Sequence, residues 1–224
     1  MFSVSEEWRA AYAGASAGIL VMRGLTNPER HPALEERRLQ VEAVLIKRFG
    51  DMDRPQMVAK APLDAYSAYF KHFKKTYPVQ LQLESIVFKD KHIPSFSALV
   101  TAMFTAELKN QILTAGHDFD ALQLPVTLHV AEGTESFTLI TGAEKGLKAG
   151  DMYMADTAGI ISVVIYGPDR RTRISPATRN ALFTAYAPPG VDPAAVLAHL
   201  EDLRDNVLLV VPEAQVELLA VHQA

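Results

Sequence analysis

The chain has 224 residues, 49% of them apolar and 21% charged, with 12 glycines and 13 prolines. That balance excludes a disordered, collagen-like or low-complexity chain, and the length allows one large domain or two small ones. A formal net charge of -4 excludes a domain that holds nucleic acid by bulk positive charge, and the absence of cysteine excludes disulfides, thiolate metal sites and a thiol nucleophile.

In chain order, Ser3 and Glu6 have capping-box spacing and predict a short helix with Trp8, Ala11 and Tyr12, ending near Gly14. Residues 17–25, AGILVMRGL, read as a buried strand because the run is short, apolar and glycine-bounded. His31-Pro32 opens a helix with Leu34, Val41, Val44, Leu45 and Phe49 on one face, ended by Gly50. Residues 51–62 read as a loop, and 63–75 as a helix with Leu63, Tyr66, Phe70 and Phe73 inward and Lys71, Lys74 and Lys75 solvated. Residues 79–89 fit a helix or, by the alternation VQLQL, a strand. Ile93-Pro94-Ser95 opens the clearest helix, with Phe96, Leu99, Val100, Met103 and Phe104 recurring at three and four, running to about Leu113 and capped at Gly116.

After residue 120 the period changes. Residues 124–131, 136–140, 151–154, 159–166 and 181–186 read as strands separated by glycine turns. Asp192-Pro193 opens a last helix, and 216–221 reads as a closing strand. Helices dominate the first half and strands the second, which predicts an α+β fold, helix-rich in its N-terminal half with a mainly antiparallel sheet in its C-terminal half, in one domain over residues 1–224. The N-terminal segment has no basic start followed by an apolar stretch, and the longest apolar runs are far shorter than a membrane span; the expectation is a cytoplasmic protein with no membrane partner.

No GxSxG elbow, GxxxxGK[ST] loop or GxGxxG fingerprint occurs. The seven histidines, at 31, 72, 92, 117, 129, 199 and 222, form no HxxH or HxxxH pair, so no metal and no cofactor is expected. Two clusters carry chemistry. Glu107 and Asn110 share one side of the predicted helix, and His117 and Asp118 follow; the alternative is a solvated helix end. Asp169, Arg170, Arg171, Thr172 and Arg173 follow a strand and a Gly-Pro turn; arginine forks suit phosphate oxygens, and the alternative is a charged hairpin tip.

Residues 93–120, IPSFSALVTAMFTAELKNQILTAGHDFD, resemble the core helix of the tRNA-binding and editing module (B-domain pair three and four) of the phenylalanyl-tRNA synthetase beta subunit, and are closer still to free-standing relatives of that module. LPVTLHVAEGTESFTLITG resembles the family's strand, "G-E" turn and strand. LKAGDMYMADTAGIISVVIYG resembles its strand pair, with Asp151 and Asp156 matching, and DRRTRISPATRNALF resembles the segment leading to its threonine, here Thr178. The resemblance is strongest over residues 60–190. It implies a central cleft that accepts the 3′ end of a mischarged tRNA and hydrolyses the aminoacyl ester by positioned water, which needs no covalent nucleophile.

On that reading Arg170, Arg171 and Arg173 contact terminal phosphates, and His117, Asp118, Glu107 and Asn110 line the ester pocket, with His117 the titratable base near neutral pH. The partner is the acceptor end of an aminoacylated tRNA or an amino-acid-like small molecule. The sequence departs from the family at Ala115, where the synthetase module has a histidine, at Ser97, Thr101 and Phe104 along the helix, and at Tyr166-Gly167-Pro168, where it has a Gly-Gly turn. A non-catalytic RNA-binding module and a small-molecule enzyme or binding protein using the same cleft are the alternatives. The charge is compatible with a narrow grip: residues 192–224 hold six carboxylates against Arg204 alone, and the rest of the chain is slightly basic.

Overall fold

The backbone of residues 16–23 runs through the centre of the molecule, buried at almost every position, as a continuous apolar run requires of a strand covered on both faces. The structure, a computed structural model, describes residues 2–224. The elements begin with β1 (Phe2–Val4), α1 (Glu6–Ala11) and β2 (Ser16–Arg23), followed by α2 (Pro32–Phe49), α3 (Arg54–Val58), α4 (Leu63–His72), α5 (Pro78–Lys89) and α6 (Ala98–Asn110). Then come β3 (Thr114–Asp118), a 3-10 turn (Phe119–Ala121), β4 (Val126–Val130), β5 (Ser136–Thr138), β6 (Glu144–Gly146), β7 (Met152–Asp156), β8 (Gly159–Val163) and β9 (Gly167–Pro168). The chain closes with β10 (Ala181–Ala187), α7 (Pro193–Leu208) and β11 (Gln215–Gln223).

One sheet has the order β1-β4-β7-β8-β9, antiparallel except for the parallel pair β1 and β4. The other has the order β11-β2-β10-β3 and is antiparallel throughout. β5 and β6 form a separate hairpin. The fold is α+β, as the helix-then-strand order predicts. The two large sheets face each other where Tyr186 of β10 meets Ser162 of β8, and Trp8 Nε1 donates to Met152 Sδ of β7 at 3.1 Å. Helix α7 packs on β2 at Gly18, where an added Cβ would stand 2.8 Å from Val196 and 3.0 Å from Leu200. One hydrophobic cluster runs from Trp8 to Val207.

Local chemistry sets the helix starts. Asp53 closes a capping box with Gln56, Asp192 accepts from the N–H of Ala194, and α2, α5 and α7 carry proline in their first turn, where a missing N–H costs nothing. The first helix is capped by Ser5, not Ser3, since residues 2–4 pair as β1 with β4. The ambiguous segment 79–89 is helical, and the expected loop 51–62 contains α3. Val44 and Phe96, expected inward, are exposed.

The main departure lies at the end of α6. The helix stops at Asn110 because Gln111 takes a left-handed conformation (φ 54) and its side-chain amide donates to the carbonyls of Leu108 and Lys109 at 2.7 and 2.8 Å. Those carbonyls are the ones a helix end leaves orphaned. Residues 114–118 then enter the sheet as β3, so Gly116 is a strand residue and not a helix cap. Among the described residues no helix is long and apolar enough to cross a membrane.

Candidate functional site

Helices α5 and α6, strand β3 and the segment 164–174 enclose a largely apolar cavity of about 380 Å³. Gly116 belongs to its wall for lack of room: a Cβ there would stand 2.7 Å from Ile174 Cδ1 and 3.2 Å from Met103 Sδ.

Glu107 and Gln82 are polar residues in this largely apolar wall. Glu107 sits on α6, which is buried on most of its surface, and is only 3% exposed. One carboxyl oxygen accepts the N–H of Thr114 at 2.8 Å. Burial pushes its pKa up to about 8, and the Thr114 N–H is the only group opposing the shift. At neutral pH it is mostly the uncharged acid, a donor as well as an acceptor. Gln82 of α5 lines the same cavity, and its Oε1 is buried without a hydrogen-bond partner. Gln82 carried no signal of its own, because its segment fitted a helix or a strand and the two place different residues on the buried face.

Beside the cavity lies an open groove of about 640 Å³ lined by Arg170, Arg171 and Arg173, together with Thr138, Glu144 and Asp169. Arg173 belongs to both walls. It is exposed, and its guanidinium donates to the carbonyl of Arg170 at 3.1 Å. Arg170 is also exposed. Arg171 is engaged internally: it pairs with the buried Asp156 at 2.8 Å and donates to the carbonyl of Ala121 at 2.8 Å. Asp156 also accepts the N–H of Ala158, two residues on, and the N–H of Gln123 from a distant segment.

His117 is fully buried on β3, and it is absent from the lining of the cavity and of the groove. Its Nδ1 lies 2.7 Å from Thr172 Oγ1. The Thr172 hydroxyl donates to Asp169, so Nδ1 carries the imidazole proton, and Nε2 is left buried with no partner. Burial and the nearby Arg171 cation depress its pKa to about 3, against the pull of Asp156. Asp118, next along the strand, accepts from the hydroxyl of Thr178 at 2.7 Å and the N–H of Asp120 at 3.1 Å. Asn110 faces α7 and donates to Asp202 at 2.9 Å, beside the Lys109–Asp202 ion pair at 2.6 Å. The fold thus brings Glu107 and Arg173 to one cavity and gathers the three arginines round the adjoining groove. His117 and Asp118 sit behind that wall, and Asn110 lies on the side of α6 that packs against α7. Among the described residues no group of three or more histidine and carboxylate side chains is placed to hold a metal ion.

The model of the B3/4 domain matches residues 63–205, more than half of the chain. The chain belongs to the B3/4 domain family. The matched region of this B3/4 protein runs from the start of α4 into α7 and so contains the cavity and the arginine groove. Its fold is similar to the crystal structure of an N-terminal fragment of the phenylalanyl-tRNA synthetase beta-subunit from Pyrococcus horikoshii, with a TM-score of 0.53 at 11% identity. That similarity covers 100% of this chain and 54% of the fragment, so the chain spans about half the fragment's length. No curated protein matches the chain.

Proposed function

We propose that this B3/4 protein grips the 3′ end of an aminoacylated tRNA and hydrolyses a mischarged aminoacyl ester in trans. The observation that carries the reading is the double placement of Arg173, at the boundary between an arginine-lined groove and an apolar cavity with a carboxyl in its wall. A terminal phosphate held by Arg170 and Arg173 leaves the esterified side chain free to enter the cavity. Water adds to the ester carbonyl, the bond to the ribose oxygen breaks, and the products are the free amino acid and the tRNA hydroxyl. The ionised fraction of Glu107 orients the water, takes its proton and returns it to the departing ribose oxygen, a task suited to a group whose pKa lies close to working pH. Arg173 balances charge on the tetrahedral oxyanion. His117, buried and depressed to about 3, is assigned no proton transfer; with Asp118 it fixes the wall behind the cavity.

A panel of mischarged tRNAs incubated with the wild type and with Glu107→Gln tests this. At least one ester is expected to be lost faster than in buffer, with the acceleration cut by a factor on the order of 10² in the variant. Ester loss at the buffer rate for every pair would overturn the hydrolase reading. RNA binding without turnover would leave the binding-module reading, which the burial of His117 favours.

A further inference from the structure

Two ammonium groups converge on one aromatic ring at the cavity wall. Lys75 lies in the turn between α4 and α5, and Lys145 is the middle residue of β6. Their Nζ atoms stand 4.7 and 5.0 Å from the centroid of the Tyr166 ring, and Tyr166 lines the cavity. The backbone builds this approach. Lys74 takes a left-handed conformation (φ 58), and the N–H of Lys75 returns to the carbonyl of Phe70 at 3.0 Å. Lys148, just after β6, donates to the carbonyl of Phe73 at the end of α4, tying the Lys145 segment to the Lys75 turn.

Among the described residues neither Lys75 nor Lys145 has a carboxylate within ion-pair distance. The nearby acids have other partners: Glu144 accepts from Thr138, Asp151 from Tyr69, and Glu84 from Arg54 and Gln80. Lys75 also opens onto a depression of about 320 Å³ lined by Lys71 and Arg54. Two like charges drawn to one ring repel each other, and cation–π attraction offsets only about 0.5–1 kcal/mol for each at an exposed site. An anion with several oxygens, able to accept from both ammonium groups at once, completes such a pair.

We propose that Lys75 and Lys145, held over Tyr166, form a phosphate-binding subsite separate from the arginine groove. In a strand gripped as proposed above, the subsite takes a second backbone phosphate, so that the strand crosses the cavity mouth between two cationic contacts. That extension rests on the tRNA reading; the phosphate subsite itself does not.

The experiment uses two probes, a synthetic RNA hairpin with a short single-stranded 3′ tail and inorganic pyrophosphate. They are titrated against the wild type, the Lys75→Ala/Lys145→Ala double variant and Lys91→Ala, an exposed lysine elsewhere that controls for bulk charge. Equal melting temperatures confirm that the variants keep the fold. The double variant is expected to bind the hairpin more weakly, and its salt slope, log K against log salt, should fall by about one unit relative to wild type, with Lys91→Ala close to wild type. If the wild type binds only pyrophosphate, and the double variant loses that binding, the subsite stands for a phosphorylated small molecule and the tRNA reading fails. If neither probe binds the wild type, or neither distinguishes the double variant from it, the proposal is overturned.

Discussion

Replacing Glu107 by glutamine removes one titrating group while keeping the oxygen that accepts from Thr114. In the folded protein Glu107 holds its proton up to about pH 8; once exposed on unfolding it releases it near the ordinary value of 4.5. Between those values the folded state binds one more proton than the unfolded state, so stability falls as pH rises and the loss is complete above about 8. Each pH unit in that window costs about 1.4 kcal/mol. From pH 5.5 to 8.5 the wild type therefore loses about 3 kcal/mol relative to Glu107→Gln. Asp151, raised to about 7 by burial, has the same sign, and His199, depressed to about 4 by burial, has the opposite one. Both groups are common to the two proteins and cancel in the difference. Urea unfolding at the two pH values, at fixed ionic strength, should move the wild-type midpoint down by roughly 1 M relative to the variant, given a slope of about 2–3 kcal/mol/M. A difference between the proteins that stays constant across this range would refute the claim that Glu107 is buried as a neutral acid.

Arg171→Ala should destabilise the fold by about 3 kcal/mol, because it leaves the buried Asp156 carboxylate without its cation, whereas Arg173→Ala should cost less than about 0.5 kcal/mol; thermal unfolding of both compares them. Gly116→Val should destabilise by about 1–3 kcal/mol, since its Cβ meets Ile174 and Met103, and on the proposed function it should block entry to the cavity, seen as lost ester hydrolysis at retained RNA affinity.

Much of the architecture was legible in the chain because it is written in local terms. The apolar run at β2, the proline-led starts of α2 and α7 and the glycine-punctuated strands after residue 120 need only near neighbours to be read. The end of α6 was not legible. A glycine at 116 carries the ordinary signature of a helix cap, but Gln111 ends the helix with its own side chain, and the demand on Gly116 comes from Ile174 and Met103 across the cavity.

The sequence by itself determined the fold class, the family likeness and the two polar clusters, since these follow from period, composition and local motif. Only the tertiary structure decided what the clusters do for one another. Entering β3 seals His117 against Thr172 and sends its pKa down, while the buried face of α6 carries Glu107 inside and sends its pKa up. It also ties Arg171 to Asp156, leaves Arg173 exposed at the junction of groove and cavity, and sets Lys75 and Lys145 over the same tyrosine. The physical reason is that charge state and reach depend on burial and on partners distant in the chain, and neither is encoded in a residue's own neighbourhood.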